Sequence, residues 1–223
     1  NHESFTSHDL KKMIKIIEHR GPDDTGEFVD GVLALGFTRL SIIDTESGHQ
    51  PLFNENNSIV LVANGEIYNF RELRKDLISK GHVFRTKSDC EVIIHLYEEY
   101  GEQFVKELNG MFAFCLYDTQ NKKAIIARDR IGIKPMYFYH GKEVLVFGSE
   151  IKGLLASDCV PCRKEEHVLD EYLCFRSLSN WRTFFSEIKV LEPGKCIIVQ
   201  RSELRFWKFW ENNIAEKEVD DTA

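Results

Sequence analysis

Ile59-Val60-Leu61-Val62-Ala63-Asn64-Gly65-Glu66-Ile67-Tyr68-Asn69 is the stretch that decides how this chain folds. Its first five residues are all apolar, which predicts a strand buried on both faces. The Asn64-Gly65 pair then predicts a tight turn at the strand end. There a side-chain amide stands beside a glycine N–H that no side chain shields, two donors of the kind that stabilise a developing oxyanion. An ordinary hairpin turn uses the same two residues. The neighbouring segments decide between the two readings.

Upstream, Thr6-Ser7-His8-Asp9 offers an N-cap, and Leu10, Met13, Ile14 and Ile17 recur at helical spacing. A helix is expected to about Glu18, where His19-Arg20-Gly21-Pro22 breaks it. Asp23 and Asp24 open a polar loop. Residues 32–37 read as a short strand and 38–44 as its continuation or partner, with alternation turning Arg39 away from Leu40 and Ile42. Residues 46–51 are turn-rich. Downstream, Asn69 caps a helix carrying Phe70, Leu73 and Leu77 and ended by Gly81. Ser88-Asp89-Cys90-Glu91 matches a capping box, followed by Val92, Ile93, Leu96, Tyr97 and Tyr100 facing inward up to Gly101. Asp89 thereby lies in a first helical turn, where the dipole favours a carboxylate.

From Met111 the pattern becomes a meander, with strands expected at 111–117, 123–128, 136–139 and 144–148. A helix over 166–175 and a strand over 195–200 follow. Helices alternating with groups of antiparallel strands predict an α+β sandwich, two sheets stacked between helical layers. Residues 1–203 read as one domain and 204–223 as a junction. Trp207 and Trp210, within an aromatic and basic stretch, are expected to pack against a following domain.

The 223 residues, 43% of them hydrophobic, suffice for one large core or two small ones. A net charge of −7 and a pI near 5.7 argue against nucleic acid or an anionic membrane as partner. No apolar run approaches the ~18 residues of a membrane span. The six cysteines are irregularly spaced, and Cys115 and Cys196 lie in apolar runs, as reduced thiols of a cytoplasmic protein do. Cys159-Val160-Pro161-Cys162 with His167 and Cys174 imitates a zinc knuckle, but the last spacing is too long and the latter two fall in a helix. His49 and His82 read as surface loop residues without a second ligand at metal spacing, so no metal is expected.

Four groups can form a site: Arg39 on a strand, Asn64-Gly65, Glu66 beside them, and Asp89 at a helix start. An arginine and an aspartate together suit the α-carboxylate and α-ammonium of a free amino acid. Singly, Arg39 reads as a surface ion pair and Asp89 as part of a cap.

The succession His19-Arg20-Gly21-Pro22-Asp23-Asp24, Arg39-Leu40-Ser41-Ile42-Ile43-Asp44, Gln50-Pro51, Asn64-Gly65-Glu66-Ile67-Tyr68-Asn69 and Ser88-Asp89-Cys90-Glu91 resembles a known family. It is the class II, N-terminal-nucleophile glutamine amidotransferase domain of asparagine synthetase B. Leu108-Asn109-Gly110-Met111-Phe112-Ala113-Phe114, Arg128-Asp129-Arg130-Ile131-Gly132-Ile133-Lys134-Pro135 and Ser149-Glu150-Ile151-Lys152 extend the likeness to about Trp210. The resemblance implies an αββα four-layer sandwich and hydrolysis of L-glutamine to glutamate and ammonia. By position it implies Arg39 on the substrate α-carboxylate, Asp89 on the α-ammonium with Glu66 nearby, and Asn64 with the Gly65 N–H as oxyanion hole. Leu40, Ile42 and Ile43 would supply backbone and walls. No cofactor is implied for this domain; ATP and Mg belong to a C-terminal synthetase domain acting in cis on aspartate, and a homodimer stays open.

In one respect the chain departs from the family. There the nucleophile is an N-terminal cysteine, whereas this sequence begins Asn-His-Glu-Ser and its six cysteines all follow the first helix. A strand headed by a cysteine is therefore expected ahead of Asn1. The alternative is a non-catalytic scaffold, or the same domain serving another amide- or lactam-forming synthetase.

Overall fold

The computed structural model describes residues 5–40 and 49–212. Helix α1 (Ser7–Ile16) starts where Thr6 accepts the Asp9 N–H and the Asp9 carboxylate accepts the Thr6 N–H, a reciprocal cap. Strands β1 (Asp24–Val29) and β2 (Ala34–Arg39) form a two-stranded antiparallel sheet. The polar loop expected at Asp24 is thus a strand. With one face in solvent, β1 (Asp-Thr-Gly-Glu-Phe-Val) alternates half-buried and exposed positions and shows no apolar run.

The main sheet has six antiparallel strands in the order β11-β10-β6-β5-β4-β3: β3 (Leu52–Phe53), β4 (Ile59–Ile67), β5 (Gly110–Asp118), β6 (Lys123–Arg128), β10 (Lys195–Gln200) and β11 (Glu203–Lys208). A third sheet orders β8 (Leu145–Gly148), β7 (Tyr137–His140) and β9 (Ile188–Val190). Helices α2 (Phe70–Ser79) and α3 (Val92–Tyr100), with the 3₁₀ segment Gly101–Glu107, cover one face of the main sheet through Leu77, Ile93, Leu96, Phe104 and Val105. The two smaller sheets cover the other face through Leu35, Met136 and Phe138. Behind them Met13 of α1 and Leu154 of α4 (Ile151–Leu155) pack around Tyr139, Val146 and Ile188. The layers run helix, sheet, sheet, helix, as expected, except that the second sheet is in two pieces. Helix α5 (Leu169–Phe175) is the last among the described residues.

The tight turn expected at Asn64-Gly65 does not exist. Strand β4 continues to Ile67, with Asn64 opposite Ala113 and Gly65 opposite Phe112. Glycine is required there by proximity: a Cβ would lie 2.2 Å from the Met111 carbonyl oxygen and 2.7 Å from the Phe112 Cα. Asn69 occupies the cap position of α2 without capping it; its side chain instead holds the Glu107 carbonyl and the Asn109 N–H. The Ser88 hydroxyl does accept the Cys90 N–H, but Glu91 turns to the N–H groups of Arg85 and Thr86 rather than back to Ser88. Tyr100, expected inward, is 43% exposed.

The division at residue 203 passes through β11, which pairs with β10 along its whole length. Trp207 and Trp210 lie against the core beneath α2 and α3, and Phe209 is buried in it. Both tryptophans therefore complete this domain.

Candidate functional site

Three polar motifs turn out to be braces. His19 and Arg20 meet Glu150 at 3.0 Å each, which ties the end of α1 to the start of α4. Gly21 lies so close to β2 that a Cβ would sit 2.4 Å from the Arg39 carbonyl carbon, and the Asp23 N–H donates to the Arg39 oxygen. The backbone of Arg39 is thus held from its own sheet and from the loop before β1. Asp129, fully buried, accepts the N–H groups of Phe112, Ile131, Ile133 and Lys134, while Arg128 donates to the carbonyls of Gly132, Lys134 and Leu191. The loop so frozen presents Lys134.

Between β2 and β8 runs a groove of about 1490 Å³. Its trough is apolar: Leu35 and Phe37 on one wall, Leu145 and Phe147 on the other, and Val62, Ala113, Cys115 and Ile126 beneath. One end is polar and gathers Arg39, Gln50, Asn64, Glu66, Asp89 and Lys134, with Leu40 at the rim. Every described residue expected at the site lines this one groove. Ile42 and Ile43 lie outside the described residues. Arg39 is buried, not at the surface, and exposed Leu40 points the other way, as the alternation predicted.

The edge of β4 explains how donors reach this end. Backbone N–H groups alternate in direction along a strand. The Ala63 N–H goes to Gln50 Oε1 at 2.7 Å and the Ile67 N–H to Asp89 Oδ2 at 2.7 Å. The Gly65 N–H, midway between them, points to that same edge, where β3 has already ended. The Asn64 side chain stands on the groove face with Val60 and Val62, since Leu61, Ala63 and Ile67 face the helices. Asn64 and Gly65 thus both line the groove from within a strand, one by its side chain and the other at the strand edge, not from a turn. Asp89 is buried and locks the start of α3 to the end of β4 with one carboxylate oxygen, so it is more than a cap.

Sequence reading missed Gln50, whose amide mimics a neighbouring strand by pairing both polar groups of Ala63. It missed Lys134 as well. His49 is paired with Asp24 at 2.6 Å, and Asp24 sits opposite Arg39 in the hairpin; His49, with help from Arg39, holds the Asp24 carboxyl below its ordinary pKa. His82 is not the isolated residue expected, since His95 and Glu55 lie beside it. Among the described residues, Cys159 and Cys162 join no such group. Burial pushes the thiol pKa values of Cys90, Cys115 and Cys196 up, with Asp89 adding to the effect at Cys90, so none of these three offers a ready thiolate. No helix among the described residues is long and apolar enough to cross a membrane.

The family model for the glutamine amidotransferase domain matches residues 1–210. The chain is 40% identical over 215 residues to asparagine synthetase [glutamine-hydrolyzing] 2 of Bacillus subtilis, covering 92% of this chain and 28% of that protein. It is 49% identical over 204 residues to asparagine synthetase [glutamine-hydrolyzing] 3 of Arabidopsis thaliana, covering 86% and 33% respectively. The chain thus spans about a third or less of these relatives' length. In fold it is similar to glutamine phosphoribosylpyrophosphate amidotransferase from B. subtilis, with a TM-score of 0.68 at 20% identity over 93% of this chain and 48% of that one.

Proposed function

We propose, since this chain belongs to the glutamine amidotransferase domain family, that it hydrolyses L-glutamine to glutamate and ammonia. The observation that supports this reading is that Asn64 and Gly65 of β4 line the same groove as Arg39 and Asp89. Arg39 takes the substrate α-carboxylate and Asp89 the α-ammonium, with Glu66 nearby. This places the side-chain amide along the groove, toward Asn64 and Gly65. Attack on that amide carbon puts negative charge on its oxygen, and two fixed donors in a partly dry groove stabilise it.

The attacking thiol comes from a cysteine at the head of a strand that seats in the apolar trough between β2 and β8. A strand there fits the exposed backbone edges on both sides. The cysteine's own α-amine takes the thiol proton and passes it to the departing nitrogen. The C–N bond breaks, ammonia leaves, and water then releases glutamate from the thioester. Relatives named glutamine-hydrolysing asparagine synthetases support ammonia delivery to aspartate activated by ATP in a C-terminal domain of the same chain. The free thiols suit a cytoplasmic setting.

The test is ammonia release from L-glutamine by the full-length protein and its Asn64→Ala variant. Turnover should fall roughly 10²–10³-fold with KM little changed. Turnover within a few-fold of the parent would leave Asn64 as a strand residue only.

A further inference from the structure

Around α3, on the face of the main sheet opposite the groove, two histidines and four glutamates crowd together. His82 opens the loop after α2, His95 and Glu98 stand on α3, and Glu55 comes from the turn between β3 and β4. One ligand atom each from Glu55, His82 and His95 lie within 4.8 Å of one another. Glu98 Oε2 sits between the two rings, 2.9 Å from His95 Nδ1 and 3.4 Å from His82 Nδ1. Glu55 Oε1 is 3.9 Å from His95 Nδ1.

Tetrahedral zinc, with bonds of about 2.0–2.1 Å to nitrogen and oxygen, sets its ligand atoms about 3.3–3.4 Å apart. The three separations of 2.9, 3.4 and 3.9 Å bracket that edge. The outer nitrogens fit as well. A histidine bound to metal through one nitrogen hands its other N–H to a carboxylate, which fixes the ring. His82 Nε2 lies 3.0 Å from Glu99 Oε1. His95 Nε2 faces Glu91 Oε1 at 3.9 Å and is buried without a hydrogen-bond partner. Glu91 is in turn anchored by the Arg85 and Thr86 N–H groups. Phe84 covers the His95 ring at 4.4 Å and shields that side from water.

We propose that His82 Nδ1, His95 Nδ1, Glu98 and Glu55 form a zinc site, with Glu99 and Glu91 orienting the two rings. Two imidazoles favour zinc over magnesium or calcium, which prefer oxygen alone. Two carboxylate ligands neutralise the ion. The metal pins the β3–β4 turn and the loop leaving α2 onto α3, the helix that follows the 3₁₀ turn Asp89–Glu91. It is a clamp behind the glutamine site, not a participant in the chemistry. Without metal the two rings hydrogen-bond to Glu98 and Glu99.

The experiment is calorimetric titration of the chelator-treated full-length protein with Zn²⁺ alone, paralleled by Co²⁺ absorption, which reports tetrahedral geometry. One ion per chain is expected, with the ligand-field bands of tetrahedral cobalt and a zinc-dependent rise in Tm. His82→Ala and Glu55→Gln, both at partly exposed positions, should each weaken binding at least about tenfold, and Glu99→Gln about tenfold. Cys159→Ser with Cys162→Ser should leave binding as it was. No zinc uptake, or one zinc whose affinity survives both His82→Ala and Glu55→Gln, overturns the proposal.

Discussion

Strand β4 has two faces that the molecule treats in opposite ways. Leu61, Ala63 and Ile67 face α2 and α3, where Phe104, Phe112 and Phe114 fill a closed core. Val60, Val62, Asn64 and Glu66 face the smaller sheets, where a groove remains and its end is lined with charge. The backbone is the same, and only the alternation of side chains separates a face that closes a core from one that lines a groove. A sheet covered on both sides can afford polar residues on one face because the other face carries most of the burial.

That contrast is broken most directly on the closed side. Phe104 is fully buried and meets Tyr97 edge-on at 5.8 Å. Phe104→Ala should cost about 3–5 kcal/mol in chemical denaturation, through lost burial and the cavity left behind. A loss of turnover at undiminished stability would show that the closed face takes part in the site. Gly65 shares the closed face with Ala63 and Ile67, yet also lines the groove. Gly65→Ala drives a methyl toward Met111 and Phe112, and should destabilise by about 1–3 kcal/mol while lowering glutaminase turnover. A variant that keeps both would mean the backbones can separate there.

The smallest effect is a pH dependence at the remote end of β5. Burial works to raise the pKa of Asp118, but hydrogen bonds from Asn121, Gln120 and Tyr97 outweigh it and hold the folded value below the ordinary 3.8. Its contribution is therefore present above about pH 4 and lost as pH falls through the folded value. Asp118→Asn should flatten the acid limb of a stability–pH curve. An unchanged limb would assign acid sensitivity elsewhere.

The layers were legible in the sequence because unbroken apolar runs such as 59–63 and 111–117 mark strands covered on both sides. Strand β1 was not, since an edge strand with one wet face carries too little apolar signal. Asn64-Gly65 misled in shape: the pair reads as a turn by propensity, yet it lies within a strand and its glycine serves the close approach of β5. Gln50 and the cluster around His95 depend on contacts between segments far apart in sequence, as do Arg128 and Asp129. No local spacing announces these. Arg39 and Asp89 owed their place in the reading to the chemistry of amino-acid recognition and to family resemblance.

The central claim is that the polar end of the groove recognises free L-glutamine through Arg39. Calorimetry on the full-length protein carrying Asn64→Ala, so that turnover does not obscure the heat, measures this directly. L-glutamine should bind better than D-glutamine or L-glutamate. Adding Arg39→Ala should weaken it by about 2–5 kcal/mol, because the α-carboxylate then enters the groove without its cation. Unaltered affinity for L-glutamine in that variant would contradict the account.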